Sequence, residues 1–291
     1  METNVKVLAH CHWQDDFRRR PTAVLVHGLE GSSSSVYMIS TAQLFFQAGY
    51  NVLRYNMRNC GGTEHLTPTL YHSGMSGDLQ AVVRELIERD QLTDLFVIGY
   101  SMGGNVALKL AGEYGGAAPR ELRGVCAVSP ALDLSACAEA INRRSNWIYQ
   151  RSFLKGLRRR VRHKERLYPE IYSFDDFRAV RSIRDFDEVY TARHAGFTSA
   201  DDYYERSSAL KVLGHIEIPT LIIHAQDDPF IPYESFRHLP SLDNSSLILL
   251  TSQRGGHVGF VADNAHERFW AENRALDFCR LLAASEGGSE G

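Results

Sequence analysis

No apolar run in this sequence approaches the roughly 20 residues that a membrane-spanning helix needs. The stretch from Met1 to His12 carries Glu2, Lys6 and two histidines where a secretory leader would carry a long apolar core. Charge of one sign is also missing: 32 Lys and Arg against 35 Asp and Glu leave a net charge of -3, which gives no global reason for nucleic-acid binding. Cysteines are few, odd in number and never spaced as Cys-x-x-Cys: Cys11, Cys60, Cys126, Cys137 and Cys279. A disulfide framework is therefore not expected, and a cytoplasmic setting is. The run His10-Cys11-His12 carries metal-ligand chemistry, but no second cluster stands at a structural-zinc spacing, so neither metal nor cofactor is expected. No internal repeat is visible. What remains is an ordinary globular composition, 44% hydrophobic and 23% charged over 291 residues, enough for one large domain or a domain with an insertion.

Apolar β-branched runs alternate with stretches of helical period, the pattern of a mostly parallel sheet flanked by helices. Strands are expected at 23–26, 51–55, 95–98, 125–128, 220–224 and 247–250, and helices at 37–49, 78–89, 105–114 and 266–282. The run Leu95 to Ile98 shows no polar alternation, as a central strand buried on both faces requires. Between about Ala138 and Ser208 the rhythm breaks into polar and aromatic helix-like pieces. The expected organisation is an α/β core over 1–137 and 209–284, a helical cap insertion over 138–208 and a disordered tail over 285–291.

Gly99-Tyr100-Ser101-Met102-Gly103 fits G-x-S-x-G, in which a serine stands on a sharp strand-to-helix turn and glycines flank it because a Cβ would clash. The pentapeptide alone is weak; an apolar strand before it and a good helix after it are the context that gives it meaning. A serine hydroxyl needs a base, itself oriented by a carboxylate. Both occur in later loops: Asp227 and Asp228 after the strand at 220–224, and His257 in the glycine-rich loop after the strand at 247–250. Oxyanion donors are expected from the backbone N–H of Met102 and from the loop His27-Gly28-Leu29-Glu30-Gly31, with Leu29 N–H the best candidate. That loop is no phosphate cradle, because no Gly-Lys-Ser/Thr follows it. His224, inside its strand, reads as a buried structural group.

Taken together, His27-Gly28-Leu29-Glu30-Gly31-Ser32, Arg58-Asn59-Cys60-Gly61-Gly62, Leu70-Tyr71-His72-Ser73-Gly74 and Gly99 to Asn105 resemble the YheT-like branch of the α/β-hydrolases. Phe186-Asp187-Glu188-Val189-Tyr190, Tyr203-Tyr204, Asp227-Asp228-Pro229-Phe230 and Gly255 to Phe260 extend the resemblance over about 21–282. It implies an α/β-hydrolase fold, a Ser101, Asp228, His257 triad and esterase or lipase-like activity on a small-molecule or lipid ester. Asp228 is favoured over Asp227 because the family pattern puts a proline four residues after the acid, here Pro232. The chain departs from the pattern at Arg58-Asn59-Cys60, where relatives more often carry Arg-Gly-Cys; that alters a turn. Its N-terminus is short beside many relatives, so leading strands are expected to be missing. The alternatives are acyl transfer through the same serine and, from another class, a non-catalytic binding protein.

From Arg143 to Arg166 ten basic residues face one acid, Glu165. The preferred reading is a solvated cap face whose apolar side packs on the core. The alternative is peripheral contact with anionic lipid headgroups. Acyl length, leaving group and oligomeric state are not fixed by these patterns.

Overall fold

The computed structural model describes residues 5–237, 239, 243–264 and 267–284. The tail after residue 284, expected to be disordered, lies outside them. Seven strands form one sheet: β1 Leu8–His12, β2 Thr22–Val26, β3 Asn51–Asn56, β4 Leu95–Tyr100, β5 Leu122–Val128, β6 Thr220–Ala225 and β7 Leu247–Ser252. Their order is β1-β3-β2-β4-β5-β6-β7. All neighbours are parallel except β1, which runs antiparallel to β3 at one edge.

The sheet is covered on both faces, and side chains alternate between them. In β2, Ala23 and Leu25 face the layer of α1 Val36–Gln47 with Met38 and Phe45, while Val24 and Val26 face α2 Ser76–Glu88 and α3 Met102–Tyr114 with Leu79, Val83 and Val106. No strand separates β5 from β6. The chain there forms α4 Leu134–Ile141, α5 Trp147–Leu167, α6 Ile183–Phe186, a π-helical turn Asp187–Ala192, α7 Arg193–Ala195 and α8 Ala200–Ser207. Leu157, Val161, Tyr190 and Tyr203 from this segment join the same apolar cluster as Val24 and Val106. The closing helix α9 Trp270–Ala284 returns to the face of α1 and buries Ala275, Leu276 and Phe278.

Two differences from the sequence expectation have physical causes. Strand β1 went unread because its residues are nearly all exposed and only Leu8 among them is a large aliphatic. Helix α3 begins at Met102, three residues early, because the turn at Ser101 leads into it directly. The His10-Cys11-His12 run lies on exposed β1, where His12 Nε2 stands 3.2 Å from the Arg54 guanidinium. Among the described residues no three His, Cys, Asp or Glu side chains converge, and no helix is long and apolar enough to cross a membrane.

Candidate active site

Chain order reverses at β2, whose neighbours are β3 and β4. In open α/β sheets the crevice beyond the strand ends at such a point is where ligands bind. The loops after β2, β4, β6 and β7 bring the candidate residues to it.

Ser101 follows β4 with φ 53° and ψ −117°, a left-handed conformation that costs a non-glycine residue about 1–3 kcal/mol. The backbone holds it: Ser101 N–H donates to Val128 O at 2.9 Å, and Ser101 O accepts from Asn105 N–H at 3.1 Å and Ala131 N–H at 3.3 Å. A Cβ at Gly99 would strike Gly103 O, and one at Gly103 would strike Val26 O and His27 O. These are backbone atoms and cannot step aside. Gly103→Ala is therefore expected to destabilise the fold by at least about 2–3 kcal/mol, read as a lower urea midpoint; an unchanged midpoint would show that the turn tolerates a side chain.

His257 joins two partners. Its Nε2 lies 2.8 Å from Ser101 Oγ, and its Nδ1 lies 2.8 Å from Asp228 Oδ2. A carboxylate can only accept, so Nδ1 carries the proton and Nε2 is left to accept from the serine hydroxyl. Asp228 is held from its other side: Oδ1 accepts from Phe230 N–H at 2.8 Å and Ile231 N–H at 3.1 Å. Asp227 points elsewhere. Its Oδ1 accepts from Gly255 N–H at 2.9 Å and Gly256 N–H at 2.8 Å, so it braces the loop that carries His257.

The loop after β2 is built around a buried histidine. Burial pushes the His27 imidazole down to about 4, against the opposing pull of its bond to Gly28, so it is neutral at pH 7. Met57 N–H donates to His27 Nε2 at 3.2 Å, which leaves Nδ1–H to donate to Gly28 O at 2.8 Å. Gly28 N–H donates to Tyr37 Oη and Glu30 N–H to Tyr71 Oη, at 2.9 and 2.8 Å. Leu29 N–H and Met102 N–H donate to no group among the described residues, and both residues line the same cavity as Ser101 and His257. A Cβ at Gly28 would lie 3.1 Å from Ser101 Cβ, so glycine lets this loop pass close to the serine.

Sequence reasoning missed how the helical segment between β5 and β6 grips this loop. Arg160 of α5 is buried; its Nε donates to Glu30 Oε1 at 2.8 Å, its Nη1 donates to Asn59 O, and its guanidinium lies 4.9 Å from the Tyr71 ring centroid. Tyr71 Oη in turn donates to the Glu30 carboxylate at 2.9 Å. The only signal was Glu30 inside the motif; its partner lies 130 residues away. α5 also passes close to this loop at Gly156, where a Cβ would meet Glu30 Oε2 at 2.5 Å. Asn59 occupies the left-handed region at φ 61° and donates to Thr67 O. Asparagine tolerates that conformation better than other non-glycine residues, which accounts for its place in the Arg-Gly-Cys pattern. Asn105, behind the serine, donates to Ser73 O and Ser207 O and accepts from Ala209 N–H, tying α3 to the loop before α2 and to the chain just after α8.

The cavity over Ser101 has a volume of about 840 Å³ including its mouth, with Leu134, Ile141, Phe153, Leu157, Ile183 and Phe186 on its walls. Asp187 also lines it, accepting from Thr191 Oγ1 at 2.7 Å and Tyr204 Oη at 2.8 Å. Burial pushes the Asp187 carboxyl up to about 6. The folded protein thus binds this proton more tightly than the unfolded chain does. The linked stability is complete below about pH 4 and is lost as pH rises through about 6, a change on the order of 3 kcal/mol. Asp187→Asn should remove that part of the pH dependence. Urea unfolding at pH 4.5 and 8 checks it: wild type should lose stability relative to the variant at the higher pH, and parallel curves would refute the assignment.

A family model described as "alpha/beta hydrolase fold" matches residues 21–263. "Putative esterase YheT" of Escherichia coli K12 is 33% identical over 264 residues, covering 90% of this chain and 77% of that one. "Phospholipase ABHD3" of Mus musculus is 31% identical over 247 residues, covering 84% of this chain and 60% of the longer relative. Among solved structures, Est1E from Butyrivibrio proteoclasticus with ferulic acid bound superposes with a TM-score of 0.63 at 14% identity, covering 97% of each chain; at that identity the likeness concerns the fold.

Proposed function

Because the chain belongs to the α/β-hydrolase fold family, we propose that it is a serine hydrolase that cleaves carboxylic esters through an acyl-enzyme on Ser101. The observation that carries this reading is the hydrogen-bonded series from Ser101 Oγ to His257 to Asp228, 2.8 Å at each step. His257 Nε2 takes the hydroxyl proton as Oγ attacks the ester carbonyl. Asp228 keeps the ring in the required tautomer and stabilises the imidazolium that forms. The carbonyl oxygen, becoming an oxyanion, takes the N–H groups of Leu29 and Met102, each worth about 10²–10³ in rate. Collapse of the tetrahedral intermediate breaks the C–O bond, and His257 returns its proton to the leaving alcohol. Water then repeats the sequence on the acyl-enzyme and releases the acid.

The cavity supports a reading of the substrate class. Its walls are aliphatic and aromatic, which suits a short- to medium-chain or lipid-like acyl group. The names of the relatives, an esterase and a phospholipase, agree with an ester as substrate. A p-nitrophenyl ester series from acetate to palmitate tests the reading. Turnover of the shorter members with release of the free acid is expected. Failure to turn over any member, or transfer of the acyl group to added alcohol in place of hydrolysis, would overturn it.

A further inference from the structure

Helix α5 and the residues leading into it carry the ten-to-one excess of basic residues, and the fold sorts them. Arg160 and Lys164 point inward: Arg160 pairs with Glu30, and Lys164 Nζ donates to Glu64 O at 3.2 Å and Thr67 O at 2.6 Å. The eight others, Arg143 and Arg144 before the helix and Arg151, Lys155, Arg158, Arg159, Arg162 and Arg166 on it, are all exposed. None of the eight forms a salt bridge among the described residues. The one acid of the run, Glu165, accepts from Phe174 N–H instead. At 100° per residue the six helical cations fall within an arc of roughly 100°, and Trp147 and Ile148 lie at the borders of or inside the same arc. Leu157, Arg160, Val161 and Lys164 occupy the opposite side, toward the core.

Trp147 and Ile148 are 56% and 61% exposed, large apolar side chains held in water at the first turn of α5. That end of the helix is fastened beside the catalytic loop: Asn146 Nδ2 donates to Pro229 O at 2.7 Å. Tyr149 packs edge-on against Phe230, centroids 4.7 Å apart, and Phe230 packs edge-on against His257 at 4.9 Å. The face therefore combines a ridge of cations about 22 Å long, none in a salt bridge and two of them, Arg158 and Arg162, lying over the Phe174 ring, with an apolar tip next to Tyr149, which packs on the cavity-lining Phe230.

We propose that the outer face of α5 docks on a membrane surface bearing anionic lipids, with Trp147 and Ile148 entering the headgroup region and the cations on the lipid charges. An in-plane helix with a cationic face and an aromatic at the interface is the arrangement that such surfaces retain. Docking in this way sets the tip of α5, packed through Tyr149 on the cavity-lining Phe230, against the layer in which a lipid ester resides. A protein or nucleic-acid partner would match the charge, but it gives no use to exposed Trp147 and Ile148.

Flotation of the whole protein with vesicles tests this without any turnover, so it stands or falls apart from the esterase reading. With phosphatidylcholine vesicles containing about 30% phosphatidylglycerol, binding is expected at roughly 0.1 M salt and at least tenfold less in 0.5 M salt. Phosphatidylcholine alone should bind at least tenfold more weakly. Arg151→Glu combined with Lys155→Glu and Arg159→Glu, and separately Trp147→Ser with Ile148→Ser, should each reduce binding at least tenfold while hydrolysis of a soluble short-chain ester is unchanged. Trp147 emission should shift to the blue on wild-type binding, read as the difference from Trp147→Phe. Absence of wild-type binding, equal binding to both vesicle types, wild-type binding by the charge-reversed variant, or retention on heparin without retention on vesicles would each overturn the proposal.

Discussion

Ser101→Ala should lower kcat for a p-nitrophenyl ester by on the order of 10⁵–10⁶, because the side chain lost is the one that forms the covalent intermediate in the proposed mechanism. The substitution removes a single oxygen and leaves the φ 53° turn under the same constraint, so the folded protein and its urea midpoint should change little. His257→Ala should cost a similar factor, since Oγ without Nε2 at 2.8 Å is an ordinary alcohol at neutral pH. The double variant should be hardly slower than either single one, because the residues act as a unit and the first loss already removes the acyl-enzyme route. What persists should be a small acceleration over water from the oxyanion donors and binding. If the two losses multiplied, Ser101 and His257 would be acting independently and the proposed mechanism would fail.

The second large effect separates two adjacent acids. Asp228→Asn should lower kcat by roughly 10⁴ with little change in KM. Its amide nitrogen, if turned to His257, would donate where the carboxylate accepts and force the ring into the tautomer that cannot take the serine proton. Asp227→Asn should cost far less, about tenfold. It can keep an oxygen on Gly255 N–H and Gly256 N–H and loses only the charge that strengthens those two bonds. Steady-state kinetics on the two variants at one pH decides the matter. The reverse order of effects would exchange their roles.

Much of this arrangement is legible in the sequence, for reasons the structure makes plain. A parallel strand buried on both faces has to be largely apolar, and Leu95–Ile98 of β4, Val125–Val128 of β5 and Leu221–Ile223 of β6 are. The turn at Ser101 has to be flanked by glycines, because backbone oxygens occupy the space where a Cβ would go. The acid and the histidine follow later strands, because β6 and β7 continue the parallel sheet beyond β4 and β5 and so end at the same edge as β4. The helical segment between β5 and β6 obeys no such rule. Its 3₁₀ and π-helical turns at Asp175–Ala179 and Asp187–Ala192 break the 3.6-residue period that makes helices readable. Arg160–Glu30 and Asp187–Tyr204 are contacts between residues with no fixed spacing, so composition shows the charges and not their partners. The run of ten basic residues looked uniform for the same reason. Only the fold shows that two of them are spent inside and eight face outward. The chain also spans about 60% of the phospholipase relative, so likeness in sequence carries the catalytic loops further than it carries a substrate.

The central claim is that one serine, made nucleophilic by one histidine, forms a covalent bond with its substrate. A fluorophosphonate probe, followed by intact-mass measurement and peptide mapping, tests that claim directly. The account predicts a single adduct on the peptide containing Ser101, absent from Ser101→Ala and strongly slowed in His257→Ala. Equal labelling of wild type and Ser101→Ala, or an adduct on any other residue, would contradict it.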